Sequence, residues 1–269
     1  MLGSSRGSLA RQAEALDARR SSMGFDALAS ELFAVADLLG REAGLRSALA
    51  DSGKPLAARQ GLVRDVLNGR VGELAIAVVS DVVAERWSDE DDLVMAIEQL
   101  ADQVVFTVAE ANGTLDATEE ELFRFGRAVD SAPELQMALT DPAQSASTKA
   151  AIVADLLRER STAATAQVLE YTVGHLHGER IDAAIDRLCD LAAKQRDRVV
   201  AEVKVAAPLT PDQAERLTSV LSRMKGRNVR LNVAVDPSVL GGVHVTVGDD
   251  VIDGTIATRM EQAGRVVLG

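Results

Sequence analysis

Cysteine is nearly absent from this chain, with one residue, Cys189, in 269. A single thiol excludes an intramolecular disulfide and a cysteine-based metal cluster, and it suits a reducing compartment. Aromatic side chains are also scarce, at 3%. Any core must therefore come from alanine, leucine and valine, which pack helices through small and aliphatic side chains. Basic charge is in short supply: 29 Lys and Arg face 41 Asp and Glu, a net charge of −12. Phosphate affinity needs a basic surface, so the balance argues against a general nucleic-acid binder. No stretch approaches the ~18 consecutive apolar residues of a membrane-spanning helix. The opening "MLGSSRGSLARQAEALDARR" lacks the apolar core of a secretory signal. The sequence is expected to be soluble and to meet a membrane only through partners.

Enough apolar material is present to fold. The chain is 47% hydrophobic and 26% charged, within the range of globular domains. Its charge is unevenly spread. Trp87 to Phe123 holds eleven Asp or Glu and no Lys or Arg, whereas Leu191 to Arg230 holds nine basic and four acidic residues. Opposite-signed regions are either two contact surfaces or two solvated helix faces.

A shift of 90 positions brings the chain onto itself. "ELFAVADLLGREAGLRSALAD" from Glu31 lies over "ELFRFGRAVDSAPELQMALTD" from Glu121, and "LVRDVL" from Leu62 over "IVADLL" from Ile152. Ten of the 37 pairs from Glu31 to Leu67 are identical, where chance gives roughly two or three. Arg59 falls on Lys149 and Val66 on Leu156. A period this long marks a duplicated domain rather than a solenoid unit.

Both copies have helical periodicity. Phe25, Leu28, Ala29, Leu32, Phe33, Ala36 and Leu39 form one apolar stripe. Pro55 opens a helix that runs to about Asn68, and Ser88 is the expected N-cap of the helix after it, with acids in its first turn. The second copy predicts helices over Ala117–Asp130, Pro133–Thr140, Ser147–Glu159, Ala163–His177 and Glu179 to about Arg198. Near Val199 the period changes. "VVAEVKVAA" and "VRLNVAV" alternate as strands, and Thr210, Pro211 and Gln213 make a capping box that opens a helix ending before Gly226. The expected fold is α+β: an N-terminal arm or helix over 1–22, helical bundles over 23–113 and 114–198, and a small α/β domain over 199–269.

Candidate chemistry fails on position. Gly241 and Gly242 open a strand, not a helix, and no Lys-Ser or Lys-Thr follows as a phosphate loop requires. They read instead as a bulge or a close backbone approach, with Asp253 or Thr255 capping a last helix. "GSSRG" at Gly3 matches a nucleophile elbow in letters but has no strand before it. His175 and His177, two apart on a helix, diverge by about 200° and cannot share a metal; on a strand they could, yet no third ligand is apparent. Asp89 to Asp92 read as a dipole-stabilised helix start, and Cys189 as a small core or boundary residue. No catalytic, cofactor or metal site is expected.

The C-terminal run carries a resemblance. "VDPSVLGGVHVTVGDDVIDGTIATRM" is similar to the end of the delta subunit of F-type ATP synthases, the counterpart of the mitochondrial oligomycin-sensitivity-conferring protein. The family pattern falls on Asp236, Pro237, Gly241, Gly242, Gly248, Asp249, Asp253 and Thr255, with Gly254 in the same turn. The usual subunit has one helical bundle. Two resemble the actinobacterial form, and the version without a fused stalk segment is expected. The resemblance implies a non-catalytic peripheral-stalk subunit at the cytoplasmic face of the bacterial plasma membrane. Its helical bundle would grip the N-terminal helices of the alpha subunits, and its C-terminal domain the b subunits. Candidate b contacts are His244, Thr246, Ile256, Arg259 and Met260. The second copy, continuous with the α/β domain, is expected to play the usual bundle's part. A generic helical adaptor is the alternative, with an enzyme built on the Gly-Gly loop third.

Overall fold

The structure, a computed structural model, describes residues 3–158, 160–196, 199–225, 229–236, 242–247 and 250–253. They fall into two compact units, Met1–Gln195 and Arg196–Gly269. The first is helical and the second carries a sheet, an α+β arrangement.

The first unit begins with α1 (Ser4–Asp17), α2 (Phe25–Arg41), α3 (Ala43–Ala50), α4 (Leu56–Leu67), α5 (Glu73–Ala84) and α6 (Glu90–Ala111). It continues with α7 (Leu115–Ser131), α8 (Pro133–Thr140), α9 (Ala146–Leu157), α10 (Ala163–Gly174) and α11 (Ile181–Arg196). The duplication is visible in these limits: α7, α8, α9 and α10 repeat α2, α3, α4 and α5 at both ends with a displacement of 90 residues. Local devices repeat as well. Asp51 Oδ1 accepts from the Gly53 N–H at 2.9 Å, and Asp141 Oδ1 from the Ala143 N–H at 2.8 Å. These Asx turns end the same helix in each copy.

One contiguous core runs from Leu16 of α1 to Ala192 of α11. Its axis is α6, whose Leu93, Ile97, Leu100, Val104 and Phe106 are buried and which packs against α1, α2, α3, α5, α7 and α10. The 90-residue shift gives α6 two parts. Shifted back, α11 falls on 91–106, so α6 closes the first copy as α11 closes the second. Shifted forward, α1 falls on 94–107, so α6 also opens the second copy as α1 opens the first. In agreement, α1 packs on α5 and α6 packs on its counterpart α10.

The stripe expected on α2 is buried throughout. Two local expectations need correction. Asp89, not Ser88, caps α6, accepting from the Asp91 N–H at 2.9 Å, while the Ser88 N–H donates to Ser5 Oγ of α1 at 2.8 Å. Helix α10 stops at Gly174, short of His177. A Cβ on Gly174 would stand 2.8 Å from Ala146 Cβ, so only glycine admits this approach of α10 to the start of α9.

The second unit contains β1 (Val199–Val205), α12 (Pro211–Lys225), β2 (Val229–Val235), β3 (Val243–Val247) and β4 (Asp250–Asp253). The sheet order is β2-β1-β3-β4. β1 and β2 are parallel and joined through α12, while β3 is antiparallel to β1 and β4. The capping box forms as read: Thr210 Oγ1 accepts from the Gln213 N–H at 3.3 Å, and Gln213 Oε1 from the Thr210 N–H at 2.9 Å. Ala201, Val203, Val205, Val229 and Val245 bury one face of the sheet with Leu221 of α12.

Candidate functional site

Side chains on a strand alternate between faces, and that places the candidate contacts of β3. Val245 lies in the core with α12, so His244 and Thr246 project from the opposite face. In the strand register His244 is the partner of Lys204 of β1, and Thr246 that of Glu202. Both His244 and Thr246 are half-buried. The sheet therefore brings two of the five candidate contacts onto one polar face, while Ile256, Arg259 and Met260 lie outside the described residues.

Of the motif positions, Asp236 follows β2 and its N–H donates to the Val205 carbonyl at 2.9 Å, tying the strand end to β1. Gly242 is exposed at φ 83° just before β3, the left-handed region that glycine adopts freely. Asp253 is the last residue of β4, opposite His244. Pro237, Gly241, Gly248, Asp249, Gly254 and Thr255 lie outside the described residues.

A cluster of titratable groups lies in the first unit, where the two copies meet. Phe33 stacks on Tyr171 with ring centroids 4.1 Å apart, and Tyr171 stacks on His175 at 4.1 Å. His175 Nε2 lies 3.3 Å from Asp37 Oδ1, and His177 Nε2 2.9 Å from Glu98 Oε1. The Tyr171 hydroxyl donates to Glu98 Oε1 at 3.0 Å. Burial, helped by the Glu98 charge, pushes the Tyr171 hydroxyl well up. The Glu98 hydrogen bond raises His177 above the usual imidazole value. Asp102 lies deeper, with its Oδ2 3.2 Å from Arg187 Nη1. Burial pushes its carboxyl up to about 7, against the pull of Arg187. The two histidines thus hold separate carboxylates, and their rings are 6.4 Å apart. Among the described residues no group of three or more His, Cys, Asp or Glu is placed to hold a metal ion. Cys189 is half-buried, and burial raises its thiol to about 11, away from nucleophile range. Asp89 to Asp92 act at a helix start: besides the Asp89 cap, Arg46 reaches Glu90 at 3.0 Å and Asp91 at 3.3 Å.

A second recurring device was not expected from the sequence. Glu31 of α2 accepts from the Gly72 N–H at 2.9 Å, at the start of α5. Its repeat partner Glu121 accepts from the Thr162 N–H at 2.8 Å, at the start of α10. A carboxylate on one helix thus caps another in each copy. The signal was the shared "ELF" glutamate, but its partner lies 41 residues away in both copies, beyond any local rule.

The family model "ATP synthase delta (OSCP) subunit" matches residues 102–266, from inside α6 onward. The ATP synthase subunit delta of Streptomyces griseus is 41% identical over all of both chains. That of Streptomyces coelicolor is 43% identical over 98% of this chain and 97% of its own. That of a Parafrankia species is 44% identical over 88% of this chain and 85% of its own. With a family model spanning more than half its length and full-length relatives at this identity, the chain belongs to the ATP synthase delta (OSCP) subunit family.

Proposed function

We propose that this chain is a non-catalytic peripheral-stalk subunit of a proton-translocating ATP synthase. It joins the catalytic head to the stalk and resists the torque of rotation. The single observation that carries this reading is full-length identity of about 40% to ATP synthase delta subunits. The family match starts at residue 102. That supports assigning the usual bundle's part to the second copy, over about 114–198, and stalk attachment to the α/β domain over 199–269. The copy over 23–113, with the helix before it, enlarges the grip.

In this reading the helical repeats receive N-terminal helices of the alpha subunits. The polar sheet face with His244 and Thr246 receives the b subunits, joined by Ile256, Arg259 and Met260. The complex sits at the cytoplasmic face of the plasma membrane. Among the described residues no helix is long and apolar enough to cross a membrane, so attachment runs through partners. The test is a tagged chain in its native host, recovered from gently solubilised membranes. Alpha, beta and b subunits should co-purify in stoichiometric amounts. Recovery of the chain alone from the soluble fraction would overturn the reading.

A further inference from the structure

Aligned by the repeat, the two copies differ on the face of α2 and α7 that carries Phe33 and Phe123. Phe33 of α2 is 6% exposed, whereas Phe123, its counterpart on α7, is 59% exposed. Of the five phenylalanines, 25, 33, 106 and 125 are buried, which leaves Phe123 outside alone. One exposed apolar residue needs no explanation by itself. Here the first copy supplies a reference, because there the same face is covered.

The cover in the first copy is the end of α10. Tyr171 lies on Phe33, and one turn later His175 faces Asp37. An aromatic and a polar group four residues on are met by another aromatic and polar pair in the same order, so the two segments run in the same sense. On α7 the equivalent pair is Phe123 and Arg127. Arg127 Cζ stands 6.0 Å over the Phe123 ring, and both residues are exposed. The acid of the first copy has become a base, so a cover for this face must carry a carboxylate where α10 carries His175.

We infer that the α7 face at Phe123 and Arg127 docks an amphipathic helix of another subunit. That helix presents an aromatic or large aliphatic residue followed one turn later by Asp or Glu, and runs in the same sense as α7. The apolar anchor covers Phe123, and the carboxylate draws Arg127 from the ring into an ion pair. This assignment rests on the stalk-subunit reading for its partner complex and stands apart from the sheet face of the second unit.

The experiment places p-benzoylphenylalanine at position 123 of the full chain, in cells making the native complex. Irradiated complexes are digested and the linked peptides sequenced by mass spectrometry. Exposed Ala117 on the same helix is the control position. The expected product links position 123 to a segment of a different subunit with an apolar residue and an acid four residues on. Its yield should be about tenfold or more above that at 117, as for a covered interface anchor. Arg127→Glu should reduce that yield about tenfold through like-charge repulsion, and Arg127→Lys should retain most of it. Links only to this chain's own residues 196–269, links only to a second copy, or a yield no higher than at 117 would each overturn the proposal.

Discussion

Removing the capping glutamate should cost the second copy more than the first, because the second carboxylate holds more partners. Glu31 accepts from the Gly72 N–H at an exposed helix start. Glu121 accepts from the Thr162 N–H at 2.8 Å, Thr162 Oγ1 at 3.1 Å and Thr165 Oγ1 at 2.6 Å, and Thr118 Oγ1 joins Thr162 Oγ1 at 2.9 Å. Thr118 and Thr165 are fully buried, and their first-copy counterparts, Leu28 and Ala75, need no partner. Glu31→Ala removes one exposed cap, worth about 1 kcal/mol. Glu121→Ala removes charge-assisted bonds and leaves a part-buried N–H and hydroxyls to repartner, about 3 kcal/mol. At about 2–4 °C per kcal/mol for a unit of this size, the falls in Tm should be about 3 °C and about 9 °C. The assay is thermal unfolding of the two variants followed by far-ultraviolet circular dichroism. Glu121→Gln, which keeps an acceptor, should fall between wild type and Glu121→Ala. Equal losses for the two alanine variants, or a larger one for Glu31→Ala, would refute the network argument.

Other outcomes follow from single positions. Phe106→Ala empties a fully buried site on α6 and should cost about 3–5 kcal/mol; because α6 serves both copies, the two should unfold in one transition, read by calorimetry as a single heat-absorption peak. Gly174→Ala forces a methyl against Ala146 and should cost about 1–3 kcal/mol in urea unfolding. Asp102 is protonated more readily folded than unfolded, its carboxyl standing at about 7 against 3.8. Its contribution is therefore complete below about pH 4 and is lost as pH rises toward 7. Asp102→Asn should flatten that part of the stability–pH curve. His177, raised by Glu98, contributes stability that is complete below its unfolded value of 6.5 and lost as pH rises through its higher folded value. Its imidazole resonances should titrate above 6.5 in the wild type and return toward 6.5 in Glu98→Gln.

Periodicity carried much of the fold into view. The apolar stripe of α2, the strand alternation and the Thr210 capping box each rest on residues within a turn or two of one another. What stayed hidden depends on distant partners. Ser88 and Asp89 are both good caps, and the choice was made by Ser5 of α1, which takes the Ser88 N–H. Helix α10 ends at Gly174, where the close approach to Ala146 of α9 admits only glycine. The pairing of His177 with Glu98 follows from that early stop, because a helix through His177 would have turned the ring elsewhere. At the sheet, alternation alone set His244 and Thr246 opposite Val245. The part of α6 in the second copy is hidden in the sequence because the clearest repeat match starts at Glu31, after α1.

The central position of α6 also has a consequence for elasticity. Two bodies joined by a linker can swivel, and under load the slack must be taken up before force passes between them. Here one helix is packed into both copies along its length, so one copy cannot twist against the other without tearing side chains from a close-packed core. Torque applied at either end would therefore be transmitted with little lag and little stored recoil, and the compliance of the coupling would reside outside this unit. A deletion meant to remove the first copy has to respect the same helix. Ending it at Asn112 would remove α6 and the interior of the second copy with it, whereas a cut just before Glu90 leaves α6 standing where α1 stands in the first.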